Sequence, residues 1–224
     1  MKALGGTLYG KIQEGGFVMY VLLMVSIGAT AVVIYKYLVL KKARINTTEF
    51  VGEVRTNLLR KNLQGAVETC ENYRGPIAAV VKAGLLKYES TKSREEIEKT
   101  IENSAIHEIA VLEKGLVILS TIATVAPLIG FLGTVVGMIM SFDIIAKEGL
   151  NNPGAVAKGI SVALLTTAFG LIVAIPTQSF YSFFTSKIAA FIREMETSTN
   201  ILIETFDESE RLTQQRPVSS QTVG

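Results

Sequence analysis

Cysteine and histidine are nearly missing from this sequence: Cys70 and His107 stand alone among 224 residues. One cysteine excludes an intrachain disulfide and a cysteine-based zinc site, and Cys70 reads as a small, half-buried hydrophobe. His107, with Glu108 and Glu113 close by on a charged stretch, reads as a solvated or satisfied histidine rather than a metal ligand. No cofactor and no metal are indicated. An excess of one charge is lacking too, since 22 Lys and Arg face 20 Asp and Glu for a formal net charge of +2. No basic cluster interleaved with aromatics occurs, so nucleic acid is not an expected partner. The segment from Gly130 to Gly137 is followed by no Gly-Lys-Ser/Thr and is not a phosphate loop. No Ser, His and acid set falls within the apolar runs, so a nucleophile with its base is missing and an enzyme is not expected.

Apolar residues are plentiful and come in blocks. The mean hydropathy is +0.38 at 24.2 kDa, and the charges crowd into the stretches between the blocks, as in a small polytopic membrane protein. Gly15 to Tyr35 is free of charge for 21 residues, and the runs between Lys114 and Asp143 and between Lys158 and Lys187 are free for 28 each. About 20 residues suffice for a helix to cross a hydrocarbon core of about 30 Å. Lys2, Lys11 and Ala29-Thr30-Ala31 imitate a leader with a cleavage site, but the apolar run continues through Val32 to Tyr35 and resumes at Leu38 to Leu40, so it reads as a span. The segment from Lys36 to Lys114 holds 14 of the 22 basic residues, against two in the N-terminal arm and two between Asp143 and Lys158. The positive-inside rule then puts this large loop and the C-terminus in the cytoplasm and the N-terminus outside.

The expected fold is an all-α integral membrane protein with three transmembrane helices, two of them extended into the cytoplasm, plus short cytoplasmic helices. The expected order is a surface-lying arm over 1–16, with Leu4, Leu8 and Ile12 at helical spacing, and a first span over 17–40. A cytoplasmic helical region over 41–113 precedes the second span, 114–142. A short outer loop over 143–157 leads to the third span, 158–186, then a cytoplasmic extension over 187–211 and a disordered tail over 212–224. Ser93 and Glu96 have capping-box spacing, and one helix is expected from about Ser93 to about Phe142, bent at Pro127. Ile188, Phe191, Ile192, Met195, Thr199, Leu202 and Phe206 keep a helical stripe beyond the third run. Helical patches at Val51 to Leu59 and Ile77 to Leu86 supply it with partners.

The second and third runs hold hydroxyls instead of ionisable side chains: Ser120, Thr121, Thr124, Thr134 and Ser141, then Ser161, Thr166 and Thr167. Ser120, Thr124, Thr134 and Ser141 fall near one helical face. They either line a polar path or bond their own i−4 carbonyls and neighbouring helices, and spacing leaves both open. Gly130, Gly133 and Gly137, with Gly159, Ala163, Gly170 and Ala174, have the small-residue spacing that lets two helices approach closely. Pro127 and Pro176 are the candidate helix bends.

Ala126 to Phe142, APLIGFLGTVVGMIMSF, and Gly159 to Pro176, GISVALLTTAFGLIVAIP, resemble the two signature segments of the ExbB/TolQ/MotA proton-channel family, closest to its ExbB/TolQ branch. The resemblance implies a stator in the bacterial inner membrane that uses proton flow. It implies a homo-oligomer, five copies around a pore, holding a dimer of an ExbD/TolR-like one-span partner. The family's pore-facing threonines fall on Thr134 and Thr167, and Thr166 and Ser161 are added here as neighbours on the ion pathway. One departure stands out: the family usually carries glutamate where this chain has Val162, so the titrating carboxylate is expected on the partner. The flagellar branch fits least well, having one more span. A non-conducting oligomeric scaffold is the alternative, and a permease subunit a weaker one, because internal repeats and broken helices are missing.

Overall fold

The computed structural model of the chain describes residues 15–91, 93–149 and 151–214. Most of the expected arm over 1–16 and the last ten residues of the expected tail lie outside the described residues. The described residues form seven α-helices and no strand: α1 Gly16–Ala43, α2 Thr47–Leu59, α3 Leu63–Tyr73, α4 Pro76–Ser90, α5 Arg94–Glu113, α6 Leu116–Glu148 and α7 Pro153–Gln214. Three stretches are long and apolar enough to cross a membrane, and they lie in α1, α6 and α7.

The helix boundaries follow from local chemistry. Lys41 and Lys42 occupy the last turn of α1, where cations complement the exposed carbonyls. The Asn62 side chain caps α3 by accepting the Gly65 N–H at 2.9 Å, and Pro76 opens α4 at a position where a missing N–H is harmless. Two expectations need correction here. The helix foreseen from Ser93 to Phe142 is two helices, because Gly115 adopts φ +91°, a left-handed conformation open to glycine and costly for other residues. The capping box does not form either: Ser93 sits at the N-cap without a side-chain bond, and Glu96 instead pairs with Lys87 at 2.8 Å. Most of the 143–157 segment is helical as well, since α6 runs on to Glu148 and α7 starts at Pro153.

The chain divides into two compact units, one of residues up to Tyr37 with Gly115–Thr185, the other of Leu38–Lys114 with Ser186 onward. In the first, Leu22 of α1, Ala126 of α6, and Val173 and Ala174 of α7 form a buried cluster, with Val18, Ile122 and Phe169 packed against it. Large side chains on all three helices nevertheless face outward, among them Met24, Phe131, Leu164 and Ile175. So much exposed apolar surface suits a lipid or protein surround and not water.

In the second unit, α2 to α5 pack together with residues from the later part of α7. Phe50, Ile77, Val80 and Leu85 are fully buried, and Ile188, Phe191, Met195, Leu202 and Phe206 are buried on α7. The foreseen stripe on α7 is therefore a core face. Phe206 stacks on Tyr88 with ring centroids 4.1 Å apart. Arg94 reaches Asp207 at 2.8 Å and Arg55 reaches Glu208 at 3.1 Å, exposed pairs that fix register more than they stabilise. Cys70 is buried, further than foreseen, and burial pushes its thiol up to about 12 against a smaller pull from Lys82. His107 is exposed.

Leu85→Ala should destabilise the second unit by about 2–5 kcal/mol, the range for a truncated buried leucine, read as a lowered thermal midpoint by circular dichroism in detergent. The thiol gives a pH test. Its folded value lies above its unfolded one, and between the two the unfolded state binds fewer protons, so stability falls as pH rises, by up to about 1.4 kcal/mol per unit. Cys70→Ala should remove that component, so that the variant's stability falls less steeply with pH than the wild type's from about pH 8.5 upward.

Candidate functional site

The candidate site lies within the first unit, along the line where α6 meets α7. Glycine makes this line possible. A Cβ built on Gly130 would sit 2.8 Å from the Thr166 carbonyl oxygen and 3.1 Å from the Thr167 Cα. One on Gly137 would sit 2.8 Å from the Gly159 carbonyl oxygen and 2.9 Å from the Ala163 Cβ. From the other side, a Cβ on Gly170 would meet the Ala126 carbonyl oxygen at 2.8 Å and the Gly130 Cα at 3.1 Å. Real Cβ atoms do not tolerate such approaches, so the two backbones come into direct contact at these glycines. Gly133 faces the Thr166 side chain and Gly159 faces Ser141 in the same way. Ala163 and Ala174 are buried on α7, Ala163 beside Gly137 and Ala174 in the cluster with Ala126 and Leu22.

The hydroxyls divide by their place relative to this seam. Thr166 is 1% exposed, packs on Gly133, and donates to the Ala163 carbonyl at 2.8 Å. Thr167 is half-buried and donates across the seam to the Gly130 carbonyl at 3.2 Å. Ser141, buried near the end of α6, donates to Gly137 at 3.0 Å and across to the Val156 carbonyl at 3.2 Å. Thr134 is half-buried and donates to its own Phe131 carbonyl at 2.6 Å. Ser161 is exposed, and Val162 beside it is half-buried.

Thr166 and Thr167 thus meet α6 directly, whereas Ser161 does not share their face. The stripe from Ser120 to Ser141 is not uniform: Thr124 is exposed, Ser120 and Thr134 are half-buried and Ser141 is buried. Thr121, Thr124, Thr134 and Ser141 each bond a carbonyl three or four residues back. Within one chain these four therefore bond their own helix, one of the two alternatives left open by the spacing. Each hydroxyl oxygen still keeps lone pairs to accept from a further donor.

Pro127 and Pro176 lie inside α6 and α7, and each removes the donor that would face the carbonyl four residues back. Among the described residues, no group of His, Cys, Asp and Glu could hold a metal ion. Lys36 escaped notice in the sequence. It reads there as the first charge after a span, yet it is 1% exposed and ranks among the largest fully buried side chains. Its position at the boundary of the run was the only available signal, and a boundary lysine normally reads as solvated.

Three helices long and apolar enough to cross a membrane, two of them meeting at a seam of glycines and hydroxyls, define the chain as a small helical membrane protein. Residues 72–197 match the sequence model of the MotA/TolQ/ExbB proton channel family. The chain is 31% identical over 193 residues to an ExbB homolog of Methanothermobacter thermautotrophicus, covering 85% of this chain and 67% of that one. It is 37% identical over 110 residues to the biopolymer transport protein ExbB of Aquifex aeolicus, covering 49% and 67%. An ExbB-like protein of Synechocystis is 31% identical over 177 residues, covering 78% and 83%. The chain belongs to the MotA/TolQ/ExbB proton channel family, and so is a membrane protein of a transport family.

The seam yields a contrast of two glycines. Gly130→Val forces a Cβ into the α7 backbone and should cost about 1–3 kcal/mol or more, the range for overpacking. Gly28→Ala, whose Cβ would meet nothing within 4 Å, should leave the thermal midpoint in detergent unchanged or slightly raised.

Proposed function

We propose that this chain is the pore-forming subunit of a proton-driven stator, acting through an ExbD/TolR-like one-span partner on the periplasm or outer membrane. Five copies would surround a central pore lined by α6 and α7 and hold two copies of the partner. The membrane is the bacterial inner membrane, with the N-terminus and the 149–152 turn on the periplasmic side and the second unit in the cytoplasm. The distribution of Lys and Arg supports this orientation. Each proton crossing yields about 2.3 kcal/mol per 100 mV, so a few per step suffice for mechanical work.

The observation that carries the reading is the glycine seam with Thr166 and Thr167 set in it and no carboxylate in either charge-free run. Val162 can neither bind nor pass a proton. The titrating group then comes from the partner's span, and Thr134, Thr166, Thr167 and Ser161 are hydroxyl or water-holding neighbours of its path. Gly130, Gly133, Gly137, Gly159, Ala163, Gly170 and Ala174 hold the helices in register, and Pro127 and Pro176 bend them. Val162 also favours a second reading, a non-conducting oligomeric scaffold.

Native mass spectrometry of the chain, alone and with the one-span protein produced alongside it, separates these readings from a plain monomer. Five copies capturing two of the partner support the stator, and a monomer or dimer indifferent to it refutes that reading. Proton flux into liposomes then distinguishes motor from scaffold. Thr134→Val and Thr167→Val should each lower flux severalfold, while the lost hydrogen bond costs only about 0.5–1.5 kcal/mol of stability. Full flux in either variant counts against the hydroxyl path. Val162→Glu should restore flux to complexes whose partner lacks its own intramembrane carboxylate.

A further inference from the structure

Within the second unit, the start of α2 and the facing stretch of α7 enclose a cleft of about 740 Å³, whose walls carry Arg44, Asn46, Thr47, Thr48, Arg193 and Glu194. Neither guanidinium takes part in an ion pair or hydrogen bond among the described residues. The nearby carboxylates are already occupied: Glu194 accepts the Thr47 hydroxyl at 2.7 Å, and Glu49 accepts the Asn46 amide at 2.9 Å. Glu49 also borders a separate recess with Glu53. Two free arginines against one cleft-lining carboxylate leave a single positive charge, which matches a phosphodiester. Arginine's planar fork suits phosphate oxygens better than a lysine point charge does.

The location points to the source of the phosphate. Arg44 lies four residues past Leu40, where the apolar run of α1 ends, and Arg193 lies six past Lys187, where that of α7 ends. At about 1.5 Å per residue these are steps of about 6 and 9 Å, within an arginine's reach of a headgroup layer that begins where the hydrocarbon stops. Such a cleft fits the basic headgroup pockets found beside membrane helices. We propose that this cleft binds a phosphate ester between Arg44 and Arg193, supplied by the headgroup of an anionic phospholipid. The site is a property of one chain and stands or falls apart from the stator reading.

The test uses the full-length protein, delipidated in detergent, titrated with phosphatidylglycerol or phosphatidylcholine and read by native mass spectrometry. Phosphatidylglycerol should bind the wild type in preference to phosphatidylcholine. R44Q/R193Q should weaken that binding about tenfold or more, as expected for two lost charge-assisted contacts. K41Q/K42Q, which removes two charges at the same level but outside the cleft, should not, and R44K/R193K should restore it only in part. Inorganic phosphate serves as the soluble arm. If it binds with the same arginine dependence and displaces the lipid at millimolar concentration, a free phosphate is the source; if it does not, the headgroup is. Equal loss in the lysine variant, or none in the arginine variant, overturns the proposal. Should the double variant misfold, a photoreactive phosphatidylglycerol headgroup analogue on the wild type decides, since labelling must fall on peptides carrying 44–48 or 190–197 and no labelling there refutes the site.

Discussion

Backbone contact between α6 and α7 is the constraint on which the first unit depends. Inside a bilayer two helices gain nothing from leaving water together, because the lipid tails they displace are as apolar as leucine. Attraction must then come from close packing and from hydrogen bonds between helices. Gly130, Gly137 and Gly170 supply the closeness, since each stands where a Cβ would strike the other helix's backbone. The seam's cross-helix bonds, Thr167 to Gly130 and Ser141 to Val156, are possible only because the carbonyls they reach have been brought within range. Remove the glycines and the hydroxyls lose their acceptors.

The second unit is held by a different force. Its core face on α7 runs from Ile188 to Phe206 and buries phenylalanine, methionine and leucine, with Phe206 stacked on Tyr88 of α4 and Leu202 close to Gly84 of the same helix. Gly84 is the point of closest approach: a Cβ there would come within 3.0 Å of both Ile101 and Leu202. Here the hydrophobic effect does operate, so large side chains are useful where small ones are needed in the seam. One helix, α7, carries both patterns in succession, small residues up to Ala174 and large ones from Phe184 onward. The change of pattern along α7 falls where the chain passes from the first unit to the second.

The coarse architecture was readable because the signals behind it are long. Three charge-free runs mark the apolar helices, and the α7 stripe shows a core face through periodicity alone. Gly115 was misread because a single glycine beside a lysine is weak punctuation, and only the observed φ of +91° shows that it breaks α5 from α6. The candidate site was legible as residue types and not as geometry. Small-residue spacing names Gly130 and Gly137, but it cannot say that Thr166 turns into the seam, that Thr167 reaches across it, or that Ser161 lies off it. Neighbours in sequence differ by about 100° around a helix, and which face meets a partner is set by packing. Lys36 was illegible for the same reason: a lysine at the edge of a run is solvated or buried according to what stands next to it.

The seam also constrains how protons could move. A carboxylate buried between helices this close would have to be desolvated with no room for compensating water, a cost of several kcal/mol unless it is paired. A hydroxyl costs little, since it can bond its own helix, as Thr134 and Thr166 do, and still offer lone pairs to a neighbour. A seam of glycine and threonine is thus compatible with passing polar contacts but does not itself hold charge. Under the stator reading the chain would be a passive wall whose hydroxyls accept from whatever titrates beside them, and the pH dependence of flux would belong to the partner's carboxylate. Val162 then follows from the division of labour: with the charge carried elsewhere, an aliphatic side chain at that position keeps α7 apolar and its helix packing intact.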